Sequence, residues 1–274
     1  MRPIHEMPQA IRSQISGLFT DIDDTITTDG ILPASSYEAL ERLKHAGLIT
    51  VAITGRPAGW CDMIARFWPV SGVIGENGAF YFRYDHDSRR MIRRFFQTDE
   101  ERRVGRERLK NIEVRILSEV RGAALASDQG YRESDLAIDF AEDVPKLSRE
   151  NIEQIANIFA EEGATTKVSS IHVNGWYGTY DKLTMTKIFA NEYLNISLDS
   201  QKSKYIYCGD SPNDEPMFEY FPNSCGVANV LEFSDQIKVL PSYIATHRGG
   251  AGFVEIVDTI LPPNGSNVIF QCKD

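Results

Sequence analysis

Asp21, Asp23 and Asp24 stand together in FTDIDDTIT, directly after the apolar run GLF. Strands are poor in Asp, so charge at the end of a buried-looking segment calls for a reason. Three more polar clusters follow: Thr54–Arg56 in AITGRP, Lys182 in YDKLTMTK, and Gly209–Asp214 in YCGDSPND. Were these clusters to meet, Asp21, Asp23, Asp24, Asp210 and Asp214 could not share one edge as bare anions. Each close pair would cost about 4 kcal/mol at an effective dielectric of about 20. A hard divalent cation relieves that repulsion, and oxygen ligands without a nearby His or Cys favour Mg2+ over zinc. Mg2+ commonly binds one or two carboxylates plus a substrate phosphate. Thr54, Lys182 and turn N–H groups supply the donors a phosphate wants. One carboxylate can then attack phosphorus. A second, two residues on and facing the same way at a strand end, can protonate the leaving oxygen and later activate water. This chemistry needs Asp21 ionised and Asp23 protonated when substrate is bound. The competing explanation for Asp21–Asp24 is a solvated acidic turn.

The surrounding elements can bring the clusters together. GLFTDID predicts a short buried strand, and SSYEALERLKHAGL a helix capped by Ser35 or Ser36. LITVAIT predicts a second strand, PAGWCDMIARFW a helix with Pro57 near its first turn, and SGVIGENG a third strand and turn. This is the β-α-β-α-β pattern of a parallel sheet covered by helices. The middle of the chain changes character. AFYFRYDHDSRRMIRRFFQ predicts a hairpin turning at 85–88, and TDEERRVGRERLKNIEVRILSEV a charged helix. DLAIDFAED and TTKVSSIHVNG predict strands around an amphipathic helix, LSRENIEQIANIFAEEG, capped by Ser148 and ended by Gly163. This is an α+β insertion. The first pattern then returns: DKLTMTKIFANEYL and NDEPMFEYF as helices, KYIYCGD as a strand ending in an acid, CGVAN and SYIAT as short strands, and LPPNGSNVIFQCKD as a peripheral tail. All four clusters then lie near one edge, at the carboxyl ends of strands, where such sheets bind ligands.

TDIDDTIT, AITGRP, Lys182 and YCGDSPND resemble, in order, motifs I to IV of the haloacid dehalogenase (HAD) superfamily. The insertion resembles the large cap of subfamily IIB, which includes sucrose-phosphate, trehalose-phosphate and mannosyl-3-phosphoglycerate phosphatases and phosphomannomutases. ENGAFYF and GGAGFVEIV are similar to that group as well. The resemblance implies an α/β HAD-like Rossmannoid core with a parallel sheet, formed by residues 1–84 and 179–274, and an α+β cap of C2b type over 85–178. It implies Asp21 as nucleophile, forming an aspartyl phosphate, and Asp23 as general acid/base. Thr54, Gly55, Lys182 and Asn213 become phosphate contacts. Asp21, Asp23 (through its backbone carbonyl), Asp210 and Asp214 become the Mg2+ set, with Asn213 near its outer shell. Lys187, about a turn beyond Lys182, is the alternative lysine. Candidates for reading the leaving group are Arg56, Asn77, Arg132, His172 and Asn174. The implied activity is Mg2+-dependent hydrolysis of a phosphorylated sugar or similar small metabolite. The alternatives are a sugar phosphomutase and a non-catalytic sugar-phosphate sensor. Asp24 departs from the pattern, since many sugar phosphatases carry Gly there. An Asp tolerates turn conformations, so retained activity is expected.

The whole-chain balance narrows the partners. With 274 residues and a net charge of −10, a nucleic-acid or anionic-membrane partner is disfavoured, because phosphate backbones want a basic face. The expected partner is a small phosphorylated molecule. Cys61, Cys208, Cys225 and Cys272 form no CxxC pair, which speaks against a zinc knuckle or redox motif and for a reducing, cytoplasmic setting. The N-terminus has no continuous apolar stretch of signal-peptide type. No run approaches the roughly 20 apolar residues of a membrane span.

Overall fold

Apolar, β-branched segments such as GLFT and ITVAI pair into the buried middle of a large sheet, as expected of parallel strands covered on both faces. The computed structural model describes residues 1–261. The expected tail from 262 onward, with Cys272, lies outside the described residues. The strands are β1 Arg2–Pro3, β2 Gly17–Thr20, β3 Ile49–Ile53, β4 Gly72–Gly75, β5 Phe80–Asp85, β6 Arg90–Phe95, β7 Ala124–Leu125, β8 Asp135–Asp139, β9 Thr165–Val168, β10 His172–Trp176, β11 Tyr205–Gly209, β12 Cys225–Gly226 and β13 Tyr243–Ile244. The large sheet runs β1-β13-β12-β11-β2-β3-β4-β5-β6. It is parallel from β1 to β4, and β5 and β6 add antiparallel. From β2 the chain builds outward through β3 and β4, then returns to β11 on the other side. The β2/β11 boundary is therefore the topological switch point where ligands bind. Register aligns Cys208 and Ala52 with Thr20, so the three strands end together.

Helices cover both faces of this sheet. Leu40, Cys61, Phe253 and Ile256 pack on one face, and Phe189, Met217 and Phe218 on the other. Helix Ala34–His45 begins from Pro33, whose φ of −66° suits a helix entry. The expected Ser35 or Ser36 cap is not used: Ser36 lies inside the helix and is buried, because Pro33 starts the helix before it. Ser148 does cap helix Arg149–Glu161, its hydroxyl accepting from Asn151 N, and Gly163 follows with φ +74°.

The second sheet, β7-β8-β10-β9, is antiparallel. Its two-residue alternation sorts the side chains. Leu136, Ile138 and Val173 pack with Ile112, Ile116 and Phe159 of helices Asp99–Glu119 and Arg149–Glu161. Asp135, Ala137, His172 and Asn174 take the opposite face, which meets the large sheet's strand ends. Residues 90–95, beyond the expected boundary at 84/85, pair with β5 and extend the large sheet. Among the described residues, no helix is long and apolar enough to cross a membrane.

Candidate active site

Asp21 follows β2 directly, its N–H donating to Cys208 O on β11 at 2.9 Å. The carboxylate is almost fully buried. Lys182 opens helix Lys182–Glu192, whose N-cap Asp181 accepts from Thr184 N. Its Nζ donates to Asp21 Oδ1 and Asp214 Oδ1, both at 2.7 Å. Two glycines permit this approach. A Cβ at Gly78, where φ is +108°, would lie 2.1 Å from Asp181 O. A Cβ at Gly209 would lie 2.3 Å from the Asp214 carboxylate. Asp214 also accepts from Tyr207 OH and Asp210 N. Lys187, the alternative lysine, pairs with exposed Asp199 instead.

Burial pushes Asp21 well above the usual carboxylate range, with Lys182 pulling the other way and Asp214 and Asp23 adding repulsion. Burial pushes Asp210 up as well, joined by repulsion from Asp21 and Asp214. Burial alone would lower the Lys182 ammonium, but Asp21 and Asp214 outweigh it and hold it above the ordinary lysine range. One lysine cannot neutralise three acids. Asp210 Oδ2 is buried without a hydrogen-bond partner, and carboxylate oxygens of Asp21, Asp210 and Asp214 lie within 4.8 Å of one another. An all-oxygen donor set with one orphaned, buried oxygen fits a hard divalent cation.

A second group lies beside the first. Asp23 Oδ2 accepts from Thr54 Oγ1 at 3.3 Å and Asp23 Oδ1 from Arg56 Nε at 2.9 Å. Arg56 also grips Glu142 through two parallel contacts, of 2.6 and 3.2 Å, and reaches Asp128 at 3.5 Å. Glu142 in turn lies 3.0 Å from His172 Nε2. Burial raises Glu142, but His172 and Arg56 outweigh it and bring the carboxyl down to about 2. A small cavity lies over Asp21 and Asp23, bounded by Gly55, Arg56, His172, Asn174, Asp210 and Asn213, with the Ser169–Ile171 turn above.

Most residues singled out from sequence therefore converge. Asp21, Asp23, Gly55, Arg56, His172, Asn174, Asp210 and Asn213 line one cavity, and Thr54, Lys182 and Asp214 support it from below. Asn77 and Arg132 do not line it. Asn77 is buried beneath Gly55, and its N–H donates to Thr54 O. Arg132 has a side chain 0% exposed, held by Asp128, Asp135 and Gly55 O. Both shape the loop under the cavity: Arg132's donors are taken up by its neighbours, whereas Asn77 Nδ2 is buried without a partner. Asn174 likewise gives Nδ2 to Asp135. Asp24 adopts φ +55°, the left-handed region that Gly enters freely. Its Oδ1 accepts from Asp29 N. Glu142, Asp128 and Tyr207 are participants that the sequence did not single out. The i,i+4 spacing of Asp128 and Arg132 was a signal for Asp128, and an acid in the loop AEDVP offered none for Glu142.

The profile of the haloacid dehalogenase-like hydrolases matches residues 18–160. The chain belongs to that family. It is 23% identical over 233 residues to the phosphoglycolate phosphatase of Thermoplasma acidophilum, an overlap of 84% of this chain and 91% of that protein. Phosphoglycolate phosphatase 2 of Saccharolobus solfataricus is 24% identical over 214 residues, 78% of each protein. The sucrose-phosphatase of Synechocystis, solved with sucrose and phosphate, superposes with a TM-score of 0.60 at 18% identity, covering 90% of this chain and 98% of that one. The HAD fold, mostly parallel core plus α+β insert, is thus common to this chain and a sucrose-phosphatase.

Proposed function

We propose that this HAD hydrolase is a Mg2+-dependent phosphatase that cleaves a phosphorylated sugar or similar small polar metabolite in two steps. The observation that carries the reading is the pairing of Asp21 and Asp23 on one cavity at the switch point, with Lys182 charge-balancing Asp21 from behind. An Asp21 oxygen attacks phosphorus, and the bond to the leaving oxygen breaks as Asp23 gives that oxygen its proton. Asp23, now a carboxylate, takes a proton from water. The hydroxide so formed displaces phosphate from Asp21 and restores both acids. Thr54 and Lys182 orient the reacting groups, the first by its bond to Asp23 and the second by its bond to Asp21. Bound Mg2+, held by Asp21 and Asp210 with Asp214 close by, would offset the carboxylate repulsion and the charge of the phosphoryl oxygens. The cap turn Ser169–Ile171 and His172 keep bulk water out while the site is covered.

A polar leaving group suits the hydroxyls and amide that the cap brings over Asp21, and the likeness to a sucrose-phosphatase supports a sugar. The net charge of −10 favours a small-molecule partner over nucleic acid or an anionic membrane. Buried free thiols at Cys61, Cys208 and Cys225 suit the cytoplasm. The test is phosphate release from a sugar-phosphate panel. Activity should vanish with a chelator and return with Mg2+. Asp21→Asn should release no phosphate while unfolding as cooperatively as wild type. Full turnover by Asp21→Asn would overturn the mechanism.

A further inference from the structure

Asp23, Arg56, Ser170 and Ile171 line the cavity over Asp21, and they also line a larger one of about 380 Å3 that opens outward. A phosphate at Asp21 with its leaving oxygen at Asp23 must send the rest of the ester into this outer pocket. Its further walls carry Asp24, Asp29, Glu142 and Lys146. The charge balance there is negative. Arg56 already faces Asp23 at 2.8 Å, Glu142 at 2.6 Å and Asp128 at 3.5 Å. Lys146 is exposed on the cap surface, where water screens it. His172, on the inner cavity, has Nε2 3.0 Å from Glu142. Glu142 is the outer-wall acid that holds Arg56's two outer nitrogens, and its side chain stays 25% exposed, so it can also meet a leaving group.

We propose that Glu142 is a specificity-determining residue that closes the leaving-group pocket to phosphomonoesters bearing a carboxylate and leaves it open to neutral, hydroxylated ones. This rests on the phosphatase reading above. By engaging both outer nitrogens of Arg56, Glu142 removes the fork that would otherwise clamp a substrate carboxylate. It also places a like charge beside any carboxylate that enters. The hydroxyl of a polyol, by contrast, donates well to an ionised carboxylate, and His172 and Arg56, outweighing burial, keep Glu142 ionised. The two curated relatives are named for phosphoglycolate, so this chain would differ from them in its substrate.

The probes are 2-phosphoglycolate and 2-hydroxyethyl phosphate, which share a length and differ in carboxylate against hydroxymethyl. With Mg2+ present, wild type should favour the neutral ester in kcat/KM by at least about tenfold, the size expected of one partly screened charge. Glu142→Gln should shrink that ratio about tenfold, and Glu142→Asp should keep it. Asp29→Asn, on the pocket's outer wall, should move the ratio the same way by a smaller factor, and it serves if Glu142→Gln folds poorly. A wild type that prefers 2-phosphoglycolate, or a ratio that Glu142→Gln and Glu142→Asp shift equally, overturns the proposal while the phosphatase reading stands. Failure to hydrolyse either probe or any sugar phosphate overturns both.

Discussion

Lys182 is the only cation in contact with Asp21 and Asp214 among the described residues, at 2.7 Å from each, and its side chain is 4% exposed. Lys182→Met keeps the length and removes the charge. Deleting one partner of a buried ion pair typically costs about 3–5 kcal/mol, because the other charge stays buried without compensation. Here two carboxylates lose their partner at once. Two features moderate the loss. Asp214 keeps its bonds from Tyr207 OH and Asp210 N, and Asp21 can take up a proton, since burial already raises it. A cost of about 3 kcal/mol is therefore expected, or a drop of about 6–12 °C in Tm for a chain of this size. The assay is urea unfolding at neutral pH without divalent cations. Adding Asp214→Asn to Lys182→Met removes one of the stranded charges and should recover about 1–2 kcal/mol as a coupling energy. The deficit of Lys182→Met should also shrink as pH falls through the raised Asp21 value, because a protonated Asp21 no longer needs the lysine. Mg2+ should stabilise Lys182→Met more than wild type, since the cation then faces a more negative site. A single variant within about 1 kcal/mol of wild type, or strict additivity in the double, would refute this account of the charge balance.

Asp24 at φ +55° predicts an asymmetric tolerance. Asp24→Gly should unfold within about 1 kcal/mol of wild type, whereas Asp24→Val should lose about 1–2 kcal/mol through Cβ crowding in the left-handed region; equal costs in urea melts would count against a conformational role. Glu76 accepts from the N–H groups of Ala58, Glu133 and Ser134, and burial and then Asp135 push it up to about 8. A carboxyl raised on folding contributes stability that is fully present below its ordinary range and is lost as pH rises through about 8. Stability should thus fall over that window, and Glu76→Gln should flatten the slope; parallel pH–stability curves for the two proteins would contradict it.

The catalytic face of the fold was legible because its chemistry demands fixed residue types at strand ends. Asp21, Thr54 and Asp210 each follow an apolar strand, and parallel pairing sets them side by side. The sequence was less informative where side chains are positioned by partners distant in the chain. Arg132 looks like a substrate ligand in YRESD, yet Asp128 and Asp135, four and three residues away, absorb it. Glu142 sits in a loop that any solvated acid could occupy, and only the antiparallel pairing of β8 with β10 brings it against His172. The hairpin of β5 and β6 has the alternation of either sheet, and nothing local tells which edge it joins.

The acids of FTDIDDTIT are unequal because each is given a different counterweight. Asp21 faces Lys182, which is buried and fixed. Asp23 faces Arg56, which is shared with the cap through Glu142. In the proposed mechanism the nucleophile's partner thus lies beneath the large sheet's strand ends, while the proton donor's partner is shared with the second sheet's loop. Glu142, Asp128 and His172 all lie in the insertion, so Arg56 is the side chain through which that insertion reaches Asp23.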